Sequence, residues 1–292
     1  MIREAMKAKQ KLINDRLAVL LKSDRLEHKT LYDAMNYSLL AGGKRIRPFL
    51  FLTVLDTLGV DSSRCVDAAC ALECVHTYSL IHDDLPAMDN DDYRRGRLTN
   101  HKVYGAGMAT QAGDGLLTFA FQLLAEQKQI PANVRIELID ILARAAGPEG
   151  MVGGQAQDME AEGKPLTLSQ LKTLDACKTG CLLAAPVSMA CAVAGASLKD
   201  RLLLETFAAH LGLLFQITDD LLDEKGNLED MGKMPGQDEK DHKSTFVTIL
   251  GVEKAEKYAE EEAELAKEAL AKLPFDSTIL YELTELMVHR KK

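Results

Sequence analysis

The chain has 292 residues, with 44 acidic against 35 basic side chains and a formal charge of −9. Hydrophobic residues make up 47% and charged residues 27% of it, a composition that is typical of a globular protein and excludes a disordered or collagen-like chain. An acidic protein repels a phosphate backbone, so nucleic acid is not expected as a partner. We expect a single domain over residues 1–292, since this length can bury one large core.

The chain opens with charged residues, and no window of 18 uncharged apolar residues predicts a membrane span. We therefore expect a cytoplasmic protein without membrane insertion. Its six cysteines form no CxxC pair, and Cys70/Cys74 and Cys177/Cys181 lie four residues apart in apolar stretches. Such cysteines behave as small buried hydrophobic residues, so neither structural zinc nor a disulfide is expected.

Apolar residues recur at three- and four-residue spacing through nearly the whole sequence, and no run of alternating β-branched residues occurs. This pattern predicts an all-α protein of about ten or more helices. In chain order, the predicted helices cover residues 3–21, 28–41, 48–58, 64–85, 108–127, 132–145, 168–193, 199–223, 244–270 and 277–290. Connections rich in glycine, proline or polar residues are predicted at 42–48, 89–100, 147–154 and 225–243.

Residues 68–81 are apolar around most of a helix and predict a central helix that ends in acidic residues. Five carboxylates follow within ten residues: Asp83, Asp84, Asp89, Asp91 and Asp92. Mg²⁺ suits such a cluster because it prefers carboxylate oxygens and is often shared with a substrate's phosphates. The alternative is a solvated helix end, although acidic groups at a helix C-terminus oppose the helix dipole.

A second apolar helix, residues 207–222, also ends in acidic residues. Gln216, Asp219, Asp220 and Asp223 fall within about 100° of one another around that helix. Burying carboxylates without partners costs several kcal/mol each, so metal ions or basic residues must face them. Two aspartate clusters in one helical chain favour a functional metal site.

Basic residues are available to balance these carboxylates and to bind phosphate oxygens. They are Lys44, Arg45 and Arg47 beside a Gly-Gly pair, Arg94 and Arg95 after the first cluster, and Lys178, Lys233 and Lys243. Each alone could be a surface cation, but together with the apolar helices they predict a substrate with phosphates and an apolar remainder. His76, two turns before Asp83, is either a core residue or a donor to a diphosphate.

Several segments together resemble the trans-prenyltransferases, the all-helical short-chain isoprenyl diphosphate synthases. They are GGKRIRP (42–48), HTYSLIHDDLPAMDNDDYRRG (76–96), QAGD (111–114), KTG (178–180), FQITDDLLD (215–223) and GKMPGQDEKDHKST (232–245). The match spans roughly residues 36–250 in the family's order, and the four residues between Asp84 and Asp89 resemble the bacterial farnesyl-type members.

The resemblance implies a single-domain helical bundle around a central active-site cavity, a homodimer, and Mg²⁺ as cofactor, with three ions per site and Mn²⁺ as a possible substitute. The implied reaction joins isopentenyl diphosphate to an allylic diphosphate. The implied metal ligands are Asp83, Asp84, Asp89, Asp219, Asp220 and Asp223. The implied substrate-binding residues are Arg94, Lys178 and Lys233 for the allylic diphosphate, Lys44, Arg47, His76 and Arg95 for isopentenyl diphosphate, and Lys243. Lys178, Thr179 and Gln216 are implied to act at the reacting carbons.

We expect a C15 product, because the bulky Tyr78 lies five residues before Asp83 while the neighbouring Ser79 is too small to block a growing chain. If Tyr78 only packs between helices, the C20 product becomes the alternative. Residues 226–244 are expected to close over the site as a lid. Two places depart from the family pattern. Tyr93 is expected to change the packing of a loop, and Met234-Pro235 is expected to change the geometry of the lid.

Three other classes of protein compete with this interpretation. A terpene cyclase shares the fold and one aspartate motif, but the second motif here is another DDxxD. A ferritin-like di-iron protein needs Glu-x-x-His pairs, and Glu73-x-x-His76 and Glu239-x-x-His242 match formally. A non-catalytic scaffold would not need every aspartate and basic residue that is present here.

Overall fold

The computed structural model describes residues 1–225 and 244–290 and is almost entirely helical there, so the prediction of an all-α fold is confirmed. The helices are α1 (Ile2–Leu20), α2 (Lys29–Leu39), α3 (Ile46–Thr57), α4 (Val66–Asp83), α5 (Asn100–Tyr104), α6 (Ala106–Ala125), α7 (Ala132–Ala146), α8 (Met151–Ala161), α9 (Leu168–Asp175), α10 (Cys181–Ala194), α11 (Leu198–Lys225), α12 (Phe246–Leu250), α13 (Val252–Ala271) and α14 (Thr278–Val288). One antiparallel hairpin joins β1 (Tyr93–Arg94) to β2 (Arg97–Leu98).

The chain divides into two compact units. The N-terminal unit comprises Arg3–Leu52 and Asp61–Ile139, and the C-terminal unit comprises Met1–Ile2, Thr53–Val60 and the described residues from Asp140 onward. The single domain around a central cavity, expected from the resemblance, stays a prediction.

Helix α4 is the central element of the N-terminal unit and packs against α2 and α6. Its residues 68–75 are completely or almost completely buried, as the apolar sequence predicted. Small side chains let a neighbouring helix approach closely: a methyl group added at Gly113 of α6 would overlap the imidazole of His82 on α4. This packing explains the glycine of the QAGD segment.

Helix α11 is the central element of the C-terminal unit and packs against α10, α13 and α14. Its buried face includes Leu204, Phe207, Leu211 and Leu214, which lie three or four residues apart. A hydrogen bond joins it to α13, where His210 Nδ1 lies 2.6 Å from Glu262 Oε2. The aspartate motif at the end of α11 is therefore carried on a helix with neighbours on several sides.

Three predicted boundaries were wrong. The predicted helix 244–270 is interrupted at Gly251, whose φ of 80° lies in the left-handed region and ends α12. The predicted connection 147–154 overlaps the first residues of α8, because the glycines there favour a connection over a helix. The predicted helix 168–193 contains a π turn, Ala176–Gly180, between α9 and α10.

Within the described residues, one run, Leu168–Ala194, is long and apolar enough to cross a membrane by length and composition alone. The core helix of a soluble protein passes the same test, and the π turn lies inside this run.

Candidate active site

The first aspartate motif folds back on the end of α4. Asp83 is the last helical residue and is partly exposed. The following turn brings the exposed Asp89 back to this helix end, where its backbone N–H donates to the Asp83 carbonyl over 2.9 Å. The four-residue spacer of the motif therefore places the backbones of its first and last aspartates side by side.

Asp84 is turned inward, unlike its two partners. It is only 3% exposed, and its Oδ1 accepts hydrogen bonds from Arg94 Nε (2.7 Å) and pairs with Arg94 Nη2 (2.6 Å). Burial raises the pKa of Asp84 to about 6, while the Arg94 guanidinium acts in the opposite direction. The structure therefore pairs Asp84 and Arg94, two predicted site residues, with each other.

The hairpin after the motif positions Arg95 against the Gly-Gly pair. Arg95 and Gly96 form its two-residue loop, and both have positive φ, 52° and 71°, as in the tight turns that suit a twisted hairpin. The Arg95 guanidinium donates to the carbonyl oxygen of Gly42. Gly43 has a φ of 118°, which disfavours any side chain, and a Cβ there would also overlap that guanidinium unless it moved.

The predicted binding residues for isopentenyl diphosphate meet near α4. Loss of solvent, and after it the positive charges of Arg47 and Arg95, hold the pKa of His76 well below its usual value. Lys44 is exposed beside the Gly-Gly pair, and Arg47 is partly exposed in the first turn of α3. All four residues lie in the N-terminal unit, and their joint role stays a prediction.

The two predicted chain-length residues are neighbours on α4 with different surroundings. Tyr78 is 5% exposed, and its ring meets the His82 ring edge-on with centroids 5.6 Å apart. Burial raises the pKa of Tyr78 to about 12. The Ser79 hydroxyl donates to the carbonyl oxygen of His76 over 2.9 Å, one turn back on the same helix. Tyr78 is thus a large ring packed against a neighbouring ring, whereas Ser79 is a small residue whose hydroxyl is bonded within its own helix.

In the second motif, Asp219 is paired with an arginine that the sequence interpretation missed. Arg290, beyond the end of α14, forms an ion pair with Asp219 and donates to the Phe215 carbonyl over 3.0 Å. Its guanidinium also lies 4.4 Å from the centre of the Phe215 ring. Because Arg290 lies 71 residues from Asp219, no local pattern could have indicated the pair.

Asp220 resembles Asp84 in being turned inward, with 6% exposure. Its Oδ1 accepts from Gln216 Nε2 (3.0 Å), and its Oδ2 accepts from the Phe246 backbone N–H (2.7 Å) at the start of α12. Asp223 is partly exposed one turn further along α11. In each motif, therefore, the second aspartate is buried while the first is partly exposed.

Lys178 and Thr179 lie in the π turn, and a second missed residue is paired with Lys178. Asp158 on α8 contacts Lys178 Nζ at 2.5 Å. A cavity of about 110 Å³ beside them is lined by both predicted residues and also by Gln216 and Asp220. Gly154 permits this arrangement, because a methyl group there would overlap the backbone nitrogen of Lys178.

The predicted site residues thus fall into two groups, one in each unit. Lys233, Lys243, Glu239, His242, the Met234-Pro235 pair and the expected lid lie outside the described residues. Among residues 1–225 and 244–290, no three His, Cys, Asp or Glu side chains are gathered in a form that could hold a metal ion. Glu73, half of one di-iron pair, is instead bonded to Arg45, which corrects the expectation that Arg45 faces a ligand.

Comparison with known proteins agrees with the motif order. A model of the polyprenyl synthetase family matches residues 28–285. The farnesyl diphosphate synthase of Geobacillus stearothermophilus is 50% identical over 270 residues, covering 91% of each chain. A geranylgeranyl diphosphate synthase of Cyanophora paradoxa is 44% identical over 262 residues, covering 89% of this chain and 87% of the relative. The solved structure of a geranyltransferase from Helicobacter pylori, complexed with magnesium and isoprenyl diphosphate, is 33% identical with a TM-score of 0.86, covering 97% of this chain and 96% of the other.

The chain belongs to the polyprenyl synthetase family. Relatives that carry the name farnesyl diphosphate synthase are 40% to 50% identical to it over most of its length. The prediction of a short-chain prenyltransferase of the farnesyl type is thereby confirmed.

Proposed function

We propose that the chain joins isopentenyl diphosphate to dimethylallyl diphosphate and then to geranyl diphosphate, releasing diphosphate and giving (2E,6E)-farnesyl diphosphate. The observation that supports this most directly is the pair of aspartate motifs, each at the end of a buried helix and each with an arginine on one carboxylate. The similarity to farnesyl diphosphate synthases supports the same reaction.

The carboxylates suit a divalent cation. Each motif has one carboxylate on an arginine, Asp84 on Arg94 and Asp219 on Arg290, and carboxylate oxygens are the ligands that Mg²⁺ prefers. When bound, Mg²⁺ neutralises the charge that develops on the departing diphosphate. We propose that the ions are held by the six aspartates of the two motifs, with three ions per site and Mn²⁺ as a substitute; they are Asp83, Asp84, Asp89, Asp219, Asp220 and Asp223.

The basic residues would bind the two diphosphates separately. Arg94 and Lys178, each now on a carboxylate, can exchange that partner for oxygens of the allylic diphosphate. Lys44, Arg47, His76 and Arg95 would hold isopentenyl diphosphate. Fixing both substrates orients the double bond of one toward the reacting carbon of the other.

The reaction follows from this placement. The allylic C–O bond breaks, its electrons leave with the diphosphate, and the double bond of isopentenyl diphosphate attacks the resulting cation. A proton is then lost, with the departed diphosphate as the nearest base, and the double bond reforms. Thr179 and Gln216 line the small cavity next to Lys178, where their oxygens can stabilise a cation.

Product analysis tests this function directly. Purified protein would be incubated with isopentenyl diphosphate and each allylic diphosphate in turn, with Mg²⁺ or with excess chelator. We expect a C15 main product and no turnover with chelator. Release of cyclic hydrocarbons, or no condensation with any primer, would overturn the proposal, while a C20 main product would identify the alternative chain length.

We also propose that the enzyme is a cytoplasmic homodimer, consistent with the resemblance and with helices that are apolar around most of their surface. Sedimentation equilibrium at micromolar concentration tests the oligomeric state. A fully active monomer would contradict it.

A further inference from the structure

Arg45 and Glu73 form an ion pair inside the N-terminal unit, although the sequence suggested other roles for both. Arg45 Nη1 lies 2.5 Å from Glu73 Oε1, and each side chain is 1% exposed. Neither side chain is therefore accessible to a substrate that binds from solution. The pair therefore belongs to the protein interior.

The remaining nitrogens of Arg45 are also bonded. Nε donates to Asn14 Oδ1 of α1 over 2.9 Å, and Nη2 donates to the carbonyl oxygen of Leu39 at the end of α2 over 2.7 Å. Since Glu73 lies on α4, the Arg45 guanidinium connects three helices. Its three different partners fix both its position and its orientation.

Stability alone does not explain this pair. Buried ion pairs are often no more stabilising than apolar residues of the same size, because desolvation offsets the attraction. Moreover, Glu73 Oε2 is buried and accepts no hydrogen bond within the described part of the chain. A buried oxygen without a hydrogen bond lowers stability, so a gain in stability does not explain the pair.

The backbone around Arg45 indicates what the pair does instead. Arg45 has a φ of 54°, in the left-handed region that is unfavourable for a residue with a side chain, and Gly43, two residues earlier, has a φ of 118°. Its carbonyl oxygen accepts the Phe49 N–H over 2.9 Å and so begins α3, which carries Arg47 in its first turn. The conformation of Arg45 thus sets the direction of Lys44 and Arg47.

We propose that Arg45 and Glu73 are positioning residues that hold the Gly-Gly loop (residues 42–45) in the conformation that presents Lys44 and Arg47 to isopentenyl diphosphate. This inference rests on the proposed function. The loop is held from its other side by Arg95 on the Gly42 carbonyl. The negative charge of Glu73 also acts on Arg95, so this buried carboxylate interacts with an arginine on each side of the loop.

The test compares three variants: Arg45→Lys, Glu73→Gln and the apolar double variant Arg45→Met with Glu73→Leu. The matched control is Arg16→Gln, which breaks an exposed ion pair between the same helices α1 and α4, at Asp67. For each protein, kcat and the KM of each substrate would be measured separately, together with helical content.

We expect the KM for isopentenyl diphosphate to rise about tenfold or more in folded variants, equal to about 1.4 kcal/mol of lost binding if KM reports binding. The KM for geranyl diphosphate and kcat should stay within about threefold, and the control should be unchanged. Equal rises in both KM values, an unchanged KM in the folded double variant, or loss of helical content in all three would overturn the proposal. A wild-type protein without condensation activity would instead refute the proposed function itself.

Discussion

Replacing Tyr78 by alanine should lengthen the product. Tyr78 lies five residues before Asp83, which is about 7.5 Å along the helix axis at 1.5 Å per residue, and one helical turn of about 5.4 Å is close to one extended isoprene unit. Removing a ring that is 5% exposed opens space at that depth. We expect the main product to shift from C15 to C20 or longer, measured by chromatography of the dephosphorylated products.

Two controls separate chain length from general damage. Truncation of a buried aromatic residue to alanine costs roughly 3–5 kcal/mol of stability, so the unfolding midpoint in urea must be measured beside the product. Tyr78→Phe keeps the ring and should still give C15, and Ser79→Ala removes only a hydroxyl that is bonded to its own helix. A folded Tyr78→Ala variant that still stops at C15 would refute the reasoning.

Three further predictions concern metal binding, packing and pH. Asp83→Ala and Asp219→Ala should each lower turnover at least about 100-fold, and near-normal turnover with normal Mg²⁺ dependence would contradict the ligand assignment. Gly154→Ala should lower the unfolding free energy by about 1–3 kcal/mol through overlap with the Lys178 backbone, whereas Gly107→Ala, in a helix with open space around it, should raise it by about 0.5–1 kcal/mol. Because the pKa of His76 is lowered in the folded state, the unfolded chain gains its proton first as pH falls below about 6.5. Asp84, whose pKa is raised to about 6 in the folded state, contributes in the opposite direction and does so in both proteins. Urea unfolding should therefore show stability falling more steeply with falling pH in the wild type than in His76→Asn, by up to about 1.4 kcal/mol per pH unit; equal pH slopes would count against it.

The sequence predicted the elements that have a strong local pattern. The apolar stretches of α4 and α11 are buried as expected, and each ends at an aspartate motif. Hydrophobic periodicity suffices for this because a helix with apolar residues on most sides must have neighbours on most sides. The ordered motifs likewise predicted the family that the comparisons show.

The partners of the charged residues could not be predicted in this way. Arg290 and Asp219 are far apart in the chain, and so are Asp158 and Lys178, which the fold alone brings together. The sequence also does not indicate that the second aspartate of each motif points inward, since adjacent aspartates have identical chemistry. Gly154 was wrongly assigned to a connection for another reason. Glycine is typical of loops, but here it allows α8 to lie against the backbone at Lys178.

The contact between Gly43 and Arg95 has an evolutionary consequence. Position 43 is restricted twice, because its φ of 118° disfavours any side chain and because the Arg95 guanidinium occupies the place of a Cβ atom. A substitution at Arg95 removes only the second restriction. Sequences that have lost arginine at 95 should therefore still retain glycine at 43, because the backbone restriction does not depend on Arg95.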